Sequence, residues 1–178
     1  MERGDDLQKA RKETTRADFE KKYAHLWLIR ELDPDERAPS SFNTVAWDSR
    51  KTIALGKKLR AQGAGMAARL RVDPGRYGLY PLAKSGANPW ADRVLVGRAS
   101  NNDIVFRHES VSKVHAYFEK GEGGTLRLHD AKSANGTRVD AKPVEPGGSG
   151  AEVKSGTTLL FGSLACEVIA SGDLFDAL

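Results

Sequence analysis

The sequence predicts an all-β sandwich preceded by a helical N-terminal extension, and three observations lead there. From Arg76 onward, short apolar or alternating runs recur between clusters of Gly, Asn, Ser and Pro. No helical period separates those runs, which argues against parallel strands joined by crossover helices. Before them, the stretch from Asp5 to Leu32 holds neither proline nor glycine and spaces its apolar residues three and four apart. The chain divides accordingly into a 1–75 extension of unknown role and a 76–178 domain.

In chain order, the first element is a helix across residues 5–32, with Phe19, Tyr23, Leu26 and Trp27 on one face. Asp33-Pro34-Asp35 ends it, because the residue before proline is pushed out of the helical region. Residues 33–48 read as a connector that includes Trp47. A weaker helix follows from about Ser49 to Leu70, on Ile53, Leu59, Met66 and Leu70. Its glycines at 56, 63 and 65 each cost about 1 kcal/mol. The strand runs are Tyr77–Leu82, Arg93–Val96, Asp103–Phe106, His115–Glu119, Leu126–His129, Thr157–Phe161 and Ala165–Ile169. Strands this short at such spacing suit a two-sheet sandwich or a barrel.

Composition narrows the function classes. The chain has 178 residues, long enough to bury a core, and no apolar run near the 18 residues of a membrane span. Met1 to Asp6 is polar with no apolar stretch behind it, so no secretory leader is expected and a cytoplasmic location is. Cys166 is the sole cysteine, which excludes an internal disulfide and a Cys-rich metal site. The net charge is +4, and all of the basic excess lies in residues 1–75, with 16 Lys and Arg against 12 Asp and Glu. Acids are interspersed there, so a solvated mixed-charge helix is favoured over a nucleic-acid surface.

Polar residues of the β region gather at strand ends. Gly97-Arg98 follows the Arg93–Val96 run, Ser112-Lys113-Val114-His115 precedes the next strand, and Asn135-Gly136-Thr137 follows Leu126–His129. Loops of a sandwich collect at its two ends, so these three segments could share one rim. A rim with Arg98, Ser112, Lys113 and Asn135 offers forked, hydroxyl, ammonium and amide donors. That set suits a phosphate monoester, a dianion that favours bidentate arginine contacts.

At these residues the chain resembles the forkhead-associated (FHA) domains, whose pattern is Gly-Arg, then Ser-x-x-His, then Asn-Gly about twenty residues on. Asn102-Asp103-Ile104-Val105 and the Gly156–Gly162 stretch are also similar to that family, and the resemblance covers roughly residues 76–170. It implies a sandwich of about eleven strands in two sheets that binds a threonine-phosphorylated peptide. Its partner would be a Ser/Thr protein kinase or a substrate of one. On the resemblance, Arg98 and Ser112 contact phosphate, Lys113 adds charge and Asn135 holds the peptide backbone. His115 braces the loops, while Gly97, Gly136 and Thr137 belong to the structural motif. Ala134 departs from the family, which often has a hydroxyl residue there, and the departure predicts one phosphate contact fewer. Arg107 and His108 could line a peptide groove, and Asp130, Lys132 and Ser133 could read side chains beside the phosphothreonine.

An enzyme is not expected. Ser112 and His115 lack the glycine-flanked serine elbow, there is no Walker-type phosphate loop, and the four histidines have no metal-ligand spacing. No metal and no cofactor are implied. The competing reading is an FHA-like assembly module that has lost phosphate binding, with the N-terminal helix docking or dimerising through Phe19, Tyr23, Leu26 and Trp27.

Overall fold

Alternation along each strand decides which layer a side chain enters. The protein's structure is a computed structural model that describes residues 1–23, 25–33, 36, 65–121 and 125–178. Twelve strands among these residues form two sheets. The seven-stranded sheet runs β1 (Glu2–Arg3), β3 (Tyr77–Pro81), β2 (Leu26–Glu31), β12 (Leu164–Ala170), β11 (Thr158–Phe161), β8 (Thr137–Val139) and β9 (Lys142–Pro143). The five-stranded sheet runs β10 (Ala151–Val153), β7 (Leu126–Asp130), β6 (Ala116–Lys120), β4 (Arg93–Gly97) and β5 (Ile104–Val105). All pairs are antiparallel except β4 with β5. Leu28, Val96, Phe118, Leu128, Leu159, Phe161, Cys166 and Val168 meet between the sheets. Burial pushes the Cys166 thiol up to about 12, so it is inert as a nucleophile.

The helix expected over residues 5–32 is corrected to two helices and a strand. The first helix, α1, spans Gly4–Lys12 and the second, α2, Arg16–Lys22. Thr15 separates them: its backbone is extended and its hydroxyl caps α2 by accepting the Asp18 N–H at 3.2 Å. Beyond Tyr23 the run Leu26-Trp27-Leu28-Ile29 is apolar at every position, as suits a strand covered on both faces. This strand, β2, lies at the heart of the seven-stranded sheet, pairing Ile29 with Leu79 of β3 and with Glu167 of β12. Leu28 enters the inter-sheet core, while Trp27 and Ile29 face outward.

That outer face is closed by helices. Leu7 of α1, Phe19 of α2, Leu70 of α3 (Met66–Leu70) and Leu174 of α4 (Ser171–Ala177) pack over Trp27, Ile29, Leu79 and Ile169. Phe19 and Trp27 are fully buried inside the chain, so the docking face expected of the N-terminal helix is spent on this protein's own sheet. The indole N–H of Trp27 donates to the Ser171 hydroxyl at 3.2 Å and ties β2 to α4. Only Gly65–Leu70 of the weaker helical stretch is described; the rest of it, and Trp47 with most of the connector, lie outside the described residues. No helix among the described residues is long and apolar enough to cross a membrane.

Asp103 fastens the loop between β3 and β4. Its side chain has no exposure and accepts from Lys84 Nζ (2.9 Å), Ser85 N (2.8 Å), Asn88 Nδ2 (2.7 Å) and Leu95 N (2.8 Å). Burial alone would raise its pKa, but these donors more than reverse that and hold it at about 2. Since the unfolded carboxyl titrates near 3.9, the stabilisation is complete above about pH 5 and fades as pH falls toward 2. Denaturant titrations across that window should show a loss of about 1–2 kcal/mol that an Asp103→Asn variant no longer shows. Equal pH slopes for the two proteins would disprove the assignment.

Candidate phosphate-binding rim

Three loops at one end of the sandwich are laced together by hydrogen bonds. The first begins where β4 ends at Gly97, a position that only glycine fits: a Cβ there would stand 2.3 Å from the Lys113 carbonyl oxygen. This close approach lets Arg98 N–H donate to Ser112 O at 2.8 Å and Ala99 N–H to Lys113 O at 3.1 Å. Buried Asn102, which the sequence reading did not single out for this, donates from Nδ2 to Ala99 O and Lys113 O, both at 2.7 Å. Arg98 itself is exposed, and its Nε donates to Val111 O at 3.2 Å. That bond fixes the guanidinium plane and leaves both terminal nitrogens without a protein acceptor among the described residues.

His115 joins the second loop to the third. Ser112 N–H donates to His115 Nδ1 at 3.0 Å, so that nitrogen carries no proton. The proton then sits on Nε2, which donates to Gly136 O at 3.2 Å. The ring is fully buried. Burial lowers its pKa, against smaller upward pulls from the Gly136 carbonyl and Asp130, and this favours the neutral form that the two bonds require. His115 therefore acts on the loops' spacing and does not face solvent.

The third loop follows β7. Ala134 N–H donates to Ser112 Oγ at 3.0 Å, which leaves the hydroxyl proton of Ser112 for another acceptor. Asn135 Nδ2 donates to Ser110 O at 2.9 Å, so Oδ1 is the amide atom left to accept. Gly136 takes the left-handed conformation with φ of 75°. Thr137 is buried, and its hydroxyl donates to Asp130 Oδ2. Asp130 also accepts from Ser133 N at 2.9 Å and Ser133 Oγ at 2.6 Å. Burial would raise this carboxyl, but those donors bring it below the ordinary carboxylate range. Asp130 and Ser133 are thus engaged in the loop's own structure, in contrast to the flank-reading role suggested by sequence. Lys132 remains exposed and left-handed, with φ of 61°.

The structure thus brings Arg98, Ser112 and Asn135 onto three loops that touch one another, with exposed Lys113 beside Ser112. Chemically the rim offers two guanidinium nitrogens, a hydroxyl, an ammonium and an amide. A cleft of about 420 Å³ lies at the other end of β4 and β6, where Leu82, Val94, Phe118 and Leu126 give it an apolar lining. It gathers no comparable set of donors. No cluster of His, Cys, Asp and Glu suited to a metal ion occurs among the described residues.

Residues 94–162 match the family model of the FHA domain. No curated protein matches the chain. The FHA domain of the CT664 protein from Chlamydia trachomatis is 14% identical, with 81% of this chain and 96% of that one covered and a TM-score of 0.47. The N-terminal FHA domain of S. cerevisiae Rad53p, solved in complex with a phosphothreonine peptide, is 20% identical, covering 57% and 90% with a TM-score of 0.44. The FhaA FHA domain, solved in complex with the intracellular domain of Rv3910, is 23% identical, covering 54% and 92% with a TM-score of 0.43. The family model carries the assignment, running from Val94 in β4 to the turn after β11 and taking in all three rim loops: residues 94–162 match an FHA domain.

Proposed function

We propose that this FHA domain is a non-enzymatic, phosphothreonine-dependent interaction module. The observation that carries the reading is the exposed Arg98 guanidinium, oriented by Val111 and set beside the Ser112 hydroxyl on interlocked loops. In use, Arg98 takes two phosphate oxygens in a fork, Ser112 donates a third bond and Lys113 supplements the charge. Asn135 accepts from, and orients, the peptide backbone. The loops are tied to one another beforehand, so little ordering entropy is lost on capture. The partner is a protein marked by a Ser/Thr kinase, or such a kinase itself.

A second reading, an assembly module without phosphate binding, has Ala134 in its favour, because that position offers the anion no hydroxyl. The deficit is one charge-assisted bond, worth about 1.5–3 kcal/mol, which weakens capture without abolishing it. One experiment separates the readings: anisotropy titration of the full chain with a degenerate threonine peptide library, phosphorylated and not. The phosphothreonine reading requires the phosphorylated pool to bind and the other not to. Equal binding of both pools, or of neither, would favour the assembly module.

A further inference from the structure

We infer that this protein pairs with a second copy of itself through the apolar cleft away from the rim, each copy placing Trp90 in the cleft of the other. The inference uses none of the rim residues and stands apart from phosphate recognition. The cleft opens between the two sheets, with Leu82 just after β3 on one side and Val94, Phe118 and Leu126 on the other. Ala91 and Asp92 also line it, and Trp90 directly precedes them.

Knob and hole lie on one face. Trp90 is 50% exposed, whereas Trp27 is fully buried. The cleft beside it, at about 420 Å³, is roomy enough for one indole ring. A face that carries both complements its own copy about a two-fold axis, because residue i then meets j while j meets i. The loop that bears the indole is also held beforehand. Asp103 anchors it through Lys84, Ser85 and Asn88, and Arg93 N–H donates to Trp90 O at 3.4 Å. A fixed aromatic side chain loses little freedom on docking, which favours it as a hot spot.

Charge selects the second copy as the occupant. Of the charged residues in the lining, Lys84 is engaged by Asp103 at 2.9 Å and Glu119 by Arg93 at 3.9 Å. Asp92 and Lys120 are exposed and opposite in sign. A two-fold axis sets Asp92 of each copy against Lys120 of the other, whereas a partner of one charge sign would be repelled by one of the two. Two indoles bury about 150–250 Å² each, which puts the contact at the small end of specific interfaces and makes the dimer weak.

The test is analytical ultracentrifugation of the full chain from about 10 µM to 1 mM, the range suited to so small a contact. The parent should pass from monomer to dimer across it, and Trp90→Ala should weaken association by about 30-fold or more. Asp92→Lys and Lys120→Asp should each weaken it by about 3- to 10-fold, and the double variant should restore it. A parent that stays monomeric at 1 mM overturns the inference. So does a dimer that Trp90→Ala leaves intact, or a double charge reversal that associates no better than either single one.

Discussion

An Arg98→Ala variant should lose about 2–4 kcal/mol of phosphopeptide affinity, a rise of roughly 30- to 700-fold in Kd. The magnitude comes from what the side chain does: it places two charge-assisted donors on one dianion, and alanine leaves those oxygens facing Ser112 and Lys113 alone. Because Nε is already held by Val111 O, the fork arrives oriented, and the truncation removes orientation together with charge. Arg98→Lys should recover little, since an ammonium cannot reproduce the planar pair of bonds. Fold stability should change by less than about 0.5 kcal/mol, because the side chain is exposed. Titration calorimetry beside thermal melts checks both halves. Undiminished affinity in Arg98→Ala would remove the arginine from the site.

The largest effect on stability should come from Trp27→Ala, about 3–5 kcal/mol and so a major fraction of a domain's total. Trp27 is fully buried where β2 meets the helical layer, with ring centroids 5.5 Å from Tyr23 and 4.7 Å from His25. Its loss opens a cavity beneath α2 and α4 and leaves the Ser171 hydroxyl without the indole donor. Urea unfolding should show a single transition with a lowered midpoint and unchanged slope, because β2 belongs to the same sheet as β12. A separate early transition for the N-terminal segment, with the remainder at its parental midpoint, would contradict this integration. For the same reason a fragment beginning at residue 76 lacks the strand between β3 and β12 and is a poor stand-in for the protein.

The sandwich was legible where strands of about five residues lie between clusters of turn residues. Runs such as Arg93–Val96 and Leu126–His129 alternate or stay apolar between glycine-rich turns, and they became β4 and β7. Strands β8, β9 and β10 are two or three residues long, too short for period-two patterning to register. β2 was misread for a different reason. Phe19, Tyr23, Leu26 and Trp27 satisfy helical spacing, and only the unbroken Leu26–Ile29 run betrays a strand covered on both faces. Helix α4 is seven residues long, too short for a period to register, and is held by tertiary packing of Leu174.

At the rim, the motif spacing brought out Gly97, Arg98, Ser112 and Asn135, because each marks a backbone or donor requirement at a strand end. Asn102 was passed over as a rim residue, since its task is to satisfy two carbonyls inside the loop and no local pattern announces it. The left-handed backbone of Lys132 was equally silent, because lysine is not a residue that signals such a turn. Asp130 looked available in sequence and proved committed, held by Ser133 and Thr137.

Titrating the isotope-labelled full chain with a phosphothreonine peptide, amide by amide in NMR spectra, is the most direct trial of a single anion pocket. Resonances of residues 98–99, 110–113 and 134–136 should move together along one binding curve, with the unphosphorylated peptide leaving them in place. Shifts concentrated around the apolar cleft near Phe118 and Leu126, or identical shifts from both peptides, would contradict it.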